Sequence, residues 1–256
     1  MTAVPTLGGL PAADGAMQTG GSRERIERIY AVLRKRICLL DYAPGERLRE
    51  ETLADEFDVS RTPIRRVLAR LEDEGLLRSV HGVGTIVTDI DIDALEQVYQ
   101  LRVELAELIG KLSPVQPDAD KIDAFRALLA RCEALVARPD ARAFAEINMD
   151  FFHLLNSLTA NEPLRAISEL LYYQTTRIWL KTASRLESYQ AVLNTEITIF
   201  HREMADIVAA VEIGDLEVVG HIRRAHISMS FLRLRNSAHA DATRAHDAGH
   251  DASHDD

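Results

Sequence analysis

The segment Asn148–His153 carries residue types that could bind a divalent metal ion. Asp150 and His153 stand three positions apart, so one turn of helix would place a carboxylate and an imidazole on neighbouring positions. The apolar residues around them recur at helical spacing and predict a helix over 140–159. On a helical wheel, however, His153 lies about 140° from the centre of the apolar stripe. We therefore expect His153 to face solvent or a partner surface rather than the core.

The composition is that of a globular protein, because 46% of the 256 residues are hydrophobic and 27% are charged. No window approaches the roughly 18 uninterrupted apolar residues of a membrane span, and the first residues lack the basic start and apolar core of a signal peptide. We expect a cytoplasmic protein without a membrane partner. Cys38 and Cys132 stand in apolar helical patterns and are interpreted as reduced core residues.

The charges are distributed unevenly along the chain, whose formal net charge is −10. Between Arg23 and Thr88 there are 13 Lys/Arg against 12 Asp/Glu, whereas the rest of the chain from Asp89 has 17 against 27. A near-neutral segment with bunched arginines next to an acidic one favours a small DNA-binding module attached to a larger domain.

The pattern of apolar residues predicts a mostly α protein. Helices over 24–40, over 50–57 and from Arg61 to Gly75, then a hairpin whose turn is His81–Gly84, make a winged helix-turn-helix. An antiparallel bundle of about six helices is predicted to follow, near 91–112, 117–137, 140–159, 162–184, 189–212 and 215–235. The predicted domains are 1–22 as a disordered tail, 23–89 as the winged helix, 90–236 as an effector-binding and dimerisation bundle, and 237–256 as a disordered His/Asp-rich tail.

The third helix separates apolar from charged residues. Ser60 can cap its start and Gly75 can end it. The predicted buried stripe consists of Ile64, Val67, Leu68 and Leu71. The opposite arc carries Thr62, Arg65, Arg66 and Arg70, with Arg61 at its edge. Arginine forks suit guanine edges and phosphate oxygens, so this face is predicted to contact DNA; a solvated charged face is the alternative.

The run APGERLREETLADEFDVSRTPIRRVLARLEDEGLLRSVHGVGTIV resembles the winged-helix signature of the GntR family of bacterial transcription regulators, over roughly 27–88. Residues 91–235 resemble the helical effector domain of its FadR-type branch. The resemblance implies a homodimer on a palindromic double-stranded operator. The DNA-contacting positions that it implies, with Arg66 added from the helical wheel, are Ser60, Arg61, Thr62, Arg65, Arg66, His81 and Gly82. Position 66 often carries an acid in the family, and Glu51 replaces an arginine that reaches DNA in some members.

Many FadR-type domains hold a divalent metal through one Asp or Asn and three histidines. Ungapped counting from Asn161 and from Gly214 places these four positions at Asn148, Phe152, Met204 and His226. Only Asn148 and His226 keep ligand-capable side chains, so we expect no metal cofactor. A family-type site after a one-residue slip, a substitute site with His201 and His226, and loose binding by the histidines of the tail remain alternatives.

The resemblance also implies a small-molecule effector, apolar or carboxylate-bearing, in the bundle. The residues expected to line its site are Arg102, Asn148, Phe152, His201, Met204 and His226. Arg102 could form a bidentate pair with an acidic ligand, or an ordinary salt bridge. The leading hypothesis is a ligand-responsive regulator, a repressor rather than an enzyme. A metal-dependent hydrolase and a regulator that binds DNA constitutively are the alternatives.

Overall fold

The structure is a computed structural model that describes residues 14–89, 96–183 and 189–251. The first part contains α1 (Asp14–Cys38), β1 (Arg47–Leu48), α2 (Glu50–Glu56), α3 (Arg61–Asp73), β2 (Leu77–Val80) and β3 (Gly84–Val87). The second part contains α4 (Glu96–Leu108), α5 (Ala119–Ala137), α6 (Ala141–Asn156), α7 (Glu162–Ala183), α8 (Tyr189–Ile213) and α9 (Leu216–Asp251). The predicted order, a winged helix-turn-helix and then a bundle of six helices within the described residues, is confirmed. None of the described helices combines the length and apolarity needed to span a bilayer.

The wing is an antiparallel sheet in the order β1-β3-β2. β2 and β3 form the predicted hairpin, with Leu77 opposite Val87. The turn between them contains Gly82 and Gly84, whose φ angles of 76° and 111° are readily adopted by glycine. β1 was not predicted, because a strand of two residues offers no alternating pattern to recognise.

The amphipathic third helix has the predicted orientation. Its buried residues are Ile64, Val67, Leu68 and Leu71. They pack in one cluster with α1 residues such as Leu33 and Ile37. The helix ends at Asp73, and Gly75, the predicted stop, follows two residues later with a φ of 74° that is favourable for glycine. Ser60 occupies the N-cap position, but its side chain makes no capping hydrogen bond, so the predicted cap is not formed and the exposed hydroxyl remains available.

The bundle is built from helices that pack closely in pairs, α4 along α9 and α5 along α8. Two glycines allow the first pair to approach at backbone distance. A Cβ on Gly110 would lie 1.9 Å from the carbonyl oxygen of Leu216, and one on Gly220 would lie 2.7 Å from that of Glu107. Side chains of the second pair fill the core together with α6, for example Phe125, Phe151 and Met204.

Two helices extend into segments that were predicted to be disordered. α1 begins at Asp14, inside the predicted tail 1–22, and α9 continues to Asp251, inside the predicted tail 237–256. Both extensions lack an apolar period, which is why the pattern gave no sign of them. Adding a residue to an existing helix needs no new nucleus, and in α9 the alanine-rich sequence favours continuation of the helix. The remainder of each predicted tail lies outside the described residues.

The winged helix and the bundle share a hydrophobic cluster. Alongside the residues of α1 and α3, this cluster contains Met149 and Phe152 of α6 and Tyr172 and Tyr173 of α7. Because buried apolar surface is continuous across the junction, the two parts are held in a fixed orientation by packing as well as by the chain that connects them.

Candidate DNA-binding surface and effector cavity

The outward face of α3 carries the side chains predicted to contact DNA. All members of this group are exposed: Ser60, Arg61, Thr62, Arg65 and Arg66. His81 and Gly82 are also exposed at the tip of the wing. The structure thus places the predicted DNA-contacting residues at the start of α3 and at the wing tip, and none of them is buried.

The arginines of α3 have different partners. Arg65 donates from Nε to Oε2 of Glu50 at 2.7 Å, and Arg61 pairs with Glu51. Arg70 is held by α1, because it pairs with Glu27 at 2.9 Å. Arg66 has no ion-pair partner within the described part of the chain. Arg70 therefore helps to hold α3 against α1, Arg61 and Arg65 are neutralised by α2, and Arg66 alone of the four lacks an ion-pair partner among the described residues.

A cavity of about 90 Å³ lies between α4, α6, α7, α8 and α9. This volume is several times what one water molecule needs, so the cavity can hold a small ligand. Apolar walls are supplied by residues that include Phe144, Phe200 and Ile227. Polar groups on the remaining walls come from every one of these helices, which is the composition expected of a small-molecule site.

One buried and one partly buried ion pair join α8 to α9 along the cavity. Arg223 donates to Glu203 at 2.6 Å, with side chains only 7% and 4% exposed. Arg233 binds both carboxylate oxygens of Glu196, at 2.5 and 3.1 Å, and Ser230 donates to the same carboxylate at 3.0 Å. Charges withdrawn from water in this way are tolerated because each has an opposite charge and further hydrogen bonds.

Arg102 is the exception among the cavity cations. It is 9% exposed, and its guanidinium donates to the Thr175 hydroxyl, but no carboxylate of a described residue lies within ion-pair distance. Burial lowers the pKa of Arg102, and the neighbouring positive charge of Arg223 lowers it further. Counting the cavity arginines 102, 223 and 233 against Glu196 and Glu203, the lining holds one uncompensated positive charge.

The other predicted effector-site residues divide into two groups. Asn148 and His226 line the cavity with Arg102. Phe152 is buried and stacks on Tyr172 with 3.9 Å between ring centroids; it lines a smaller adjoining space rather than the cavity itself. His201 and Met204 do not line the cavity, and Met204 is fully buried in the core between α5 and α8.

His153 has the outward position predicted for it. The residue is exposed, and its Nε2 lies 2.6 Å from the Tyr173 hydroxyl. Asp150 is paired instead with Arg131 on the bundle surface at 2.8 Å. The carboxylate of Asp150 and the imidazole of His153 therefore have separate partners and do not form a metal half-site.

The residues at the family's metal positions do not suit a divalent ion. Of the four, Phe152 and Met204 are apolar and buried, which leaves Asn148 and His226. The nearest carboxylate, Glu203, lies 3.7 Å from His226 Nδ1 but is already bound by Arg223. Two guanidinium groups beside this position would repel a divalent cation. Within the described residues no cluster of three His, Cys, Asp or Glu could hold a metal.

Sequence reasoning missed the paired charges of the cavity. Glu196 and Glu203 stand seven residues apart on α8, which puts both on one helical face. The facing residues of α9, with spacings of three, four and three, are Arg223, His226, Ser230 and Arg233. A charged stripe of this kind beside an apolar stripe was the available signal. It is ambiguous in one helix and becomes informative only once α8 and α9 are known to be neighbours.

α7 contacts the cavity with one face and the winged helix with another. Tyr172, Thr176 and Leu180 line the cavity. From the other face, Gln174 donates to the Glu74 carbonyl at 3.3 Å, and Arg177 donates to the Thr88 carbonyl at 3.0 Å. One helix therefore lies between the candidate ligand site and the candidate DNA-binding domain.

Comparisons with known proteins agree with this architecture. Residues 25–87 match the model of the bacterial regulatory proteins of the gntR family, and residues 97–229 match that of the FCD domain. The chain belongs to the GntR family. It is a transcriptional regulator whose helical part is an FCD domain, as the resemblance implied.

Similar proteins come from several bacteria. The regulator YdhC of Bacillus subtilis is 28% identical over 143 residues, 56% of this chain and 64% of that protein. The Nta operon transcriptional regulator of Aminobacter aminovorans is 28% identical over 174 residues, 66% of this chain and 81% of that protein. The solved structure of Escherichia coli McbR/YncC superposes with a TM-score of 0.70 at 18% identity, covering 83% of this chain and 97% of that one. At this identity the structural likeness shows the fold.

Proposed function

We propose that this GntR-family regulator is a homodimeric repressor whose affinity for a palindromic operator is controlled by a small anionic ligand in the bundle cavity. The observation that carries the proposal is the position of α7, because Tyr172 and Thr176 line the cavity while Gln174 and Arg177 hold the winged helix. A ligand in the cavity and DNA on α3 act on parts of the protein joined by this helix. Two ligands that favour different arrangements of one element are thermodynamically coupled.

On the DNA side, α3 enters the major groove. Arg61 and Arg65 read guanine edges, and Arg66, with the exposed Ser60 and Thr62, binds phosphate oxygens. His81 and Gly82 bring the wing tip to the adjacent minor groove. A glycine there supports this role, because a side chain would hold the backbone away from the groove.

On the ligand side, Arg102 receives the negative charge of the effector. A carboxylate suits this position, since it would supply the counter-charge that a buried guanidinium otherwise lacks. Asn148 and His226 add hydrogen bonds, and the apolar walls accept the rest of a small molecule. The proposal gives the ligand direct contact with the protein, without a bridging metal, and gives the cavity a binding role rather than a catalytic one.

Dimerisation accounts for the palindromic operator, because two identical winged helices related by two-fold symmetry need two inverted half-sites. The protein then works in the cytoplasm, where the chromosome lies. Ligand binding changes the relative position of the two winged helices. Repression is relieved when their spacing no longer matches the spacing of the two half-sites.

The test starts with selection of bound DNA from a random pool by the full-length protein. An inverted repeat is the expected result. Arg65→Ala should then weaken binding to the selected operator by about 1–3 kcal/mol, while Arg131→Ala, which alters an exposed pair on the bundle, should not. A set of small carboxylates is next screened for release of the operator. An operator bound equally well by Arg65→Ala would exclude the assigned reading mode, and operator binding that no anion changes would favour a constitutive regulator.

A further inference from the structure

Glu50 is bonded to Arg65 in a way that leaves part of the arginine free. The bond is made by Nε of Arg65, 2.7 Å from Oε2 of Glu50, and no other described group bonds to this guanidinium. Arg65 is 64% exposed, and Glu50 is only 33% exposed. The carboxylate therefore holds the inner edge of the guanidinium, and the two terminal nitrogens remain available.

The free edge is the one needed for base recognition. A guanidinium has five N–H donors in a rigid plane. With Nε engaged, the terminal nitrogens still form an end-on fork that matches O6 and N7 of guanine. A fork whose inner edge is fixed is already oriented and loses less side-chain freedom when it meets a base.

The Glu50 carboxylate also lowers the net positive charge of the α3 surface that is proposed to face DNA. Glu50 lies in the first turn of α2, where the helix dipole favours a negative charge. It offsets the positive charge of Arg65 close to the recognition face. Binding to DNA of any sequence depends mainly on positive charge facing phosphates, so Glu50 weakens that binding for every sequence. Base readout by the fork depends on geometry, which Glu50 improves.

We propose that Glu50 is a positioning residue that sets the sequence specificity of this regulator, by holding Arg65 ready for guanine and by suppressing its binding to phosphates. The inference rests on the proposed role of α3 in reading DNA. Glu51 provides Arg61 with the same kind of charge compensation. Arg66 has no such partner within the described residues, and its proposed role is to bind phosphate oxygens of the DNA backbone. Exposed ion pairs contribute little to folding stability, so removal of the Glu50 charge leaves a folded protein to test.

The experiment uses the full-length protein and compares Glu50→Gln with Asp55→Asn. Asp55 lies on the same helix and has no ion-pair partner among the described residues, so the control removes an equal charge without releasing an arginine. Dissociation constants are measured by fluorescence anisotropy, over a range of salt, for the selected operator and for a random duplex of equal length. For Glu50→Gln we expect about threefold to tenfold tighter binding of the random duplex and no gain for the operator. The preference for the operator, given by the ratio of the two constants, should therefore fall about threefold to tenfold.

A second measurement separates failure of this inference from failure of the proposed function. DNA selection is repeated with Arg65→Ala and with Glu50→Ala, and both should relax the preference for the same guanine. If Arg65→Ala relaxes a position that Glu50→Ala leaves unchanged, or if Glu50→Gln behaves like Asp55→Asn, the role of Glu50 is overturned while the DNA-reading role of α3 stands. If Arg65→Ala leaves the base preference unchanged at every position of the selected operator, Arg65 does not read the sequence. The proposed role of Glu50, which depends on it, is then wrong as well.

Discussion

The guanidinium carbon of Arg34 in α1 lies 3.9 Å from the centre of the Tyr173 ring in α7. Arg34 also donates to the Tyr30 hydroxyl at 2.7 Å, and Tyr30 in turn donates to Glu74 at the end of α3 at 2.5 Å. The carbon of the Arg70 guanidinium lies 3.5 Å from the centre of the Tyr30 ring. Alternating cations and rings thus connect the helix that borders the cavity to the helix proposed to read DNA.

This connection predicts that Arg34→Met uncouples the ligand from DNA. The variant loses the cation–π contact and the pair with Glu169, at a cost of about 1–2 kcal/mol in folding free energy. Binding of each partner alone should be retained. Operator titrations with and without the effector should show that the ligand-induced change in affinity, about tenfold or more in the parent, shrinks towards none. Arg131→Met is the matched control, and an undiminished response in Arg34→Met would contradict the connection.

Two arginines of the cavity should respond in opposite ways to the same substitution. Arg102→Met removes a buried cation that has no carboxylate partner among the residues that the structure describes, so the free energy of unfolding should stay unchanged or rise. Arg223→Met leaves Glu203 buried without its counter-charge, so the free energy of unfolding should fall by about 3 kcal/mol. Chemical denaturation measures both values. Arg102→Met should also abolish the response to the anion, and equal destabilisation by the two variants would contradict the assigned charge balance.

The close packing of α4 on α9 predicts that alanine is not tolerated at its two glycines. Gly110→Ala and Gly220→Ala each place a methyl group against backbone atoms that cannot rotate away. Each should lower the free energy of unfolding by at least about 2 kcal/mol. Gly21→Ala is the control within a helix, because nothing lies within 4 Å of the added Cβ; it should be neutral or stabilise by up to about 1 kcal/mol. Thermal unfolding of the three variants checks the order.

The thiols should be unreactive and should make stability depend on alkaline pH. Burial raises the pKa of Cys38 to about 12 and that of Cys132 to about 11. The folded state therefore keeps protons that the unfolded state releases above a pH of about 9, and stability should fall as the pH rises from there towards these values. Unfolding free energies at about pH 8 and about pH 10 measure the effect, and its slope should be smaller in Cys38→Ala. A thiol reagent that modified either cysteine in the native protein would contradict their burial.

Those parts of the structure that depend on one segment could be predicted from the sequence. The buried stripe of α3 and its stop at Gly75 follow from local periodicity and from one glycine. The outward direction of His153 also follows from its angle on one helix. Asn148, Arg102 and His226 were expected in a common site, and the structure brings them to the same cavity.

Features that join distant segments could not be predicted in this way. The pairs between Glu203 and Arg223 and between Glu196 and Arg233 require α8 to lie against α9 in one register. The bond between Glu50 and Arg65 depends on the crossing of α2 and α3. In each case a charged residue alone is compatible with an ordinary solvated surface, and only the tertiary arrangement supplies the partner.

The two faces of α7 limit how freely the winged-helix domain of this regulator can be replaced by that of another regulator. The chain can be divided near residue 89 on paper, but Tyr173, Gln174 and Arg177 are fitted to the side chains and carbonyls of this particular winged helix. A winged-helix domain grafted from another regulator would keep its own DNA preference, but it would pack against an α7 surface that fits a different domain. Such a chimera should bind its operator and ignore the ligand unless the matching residues of α1 are transplanted with it.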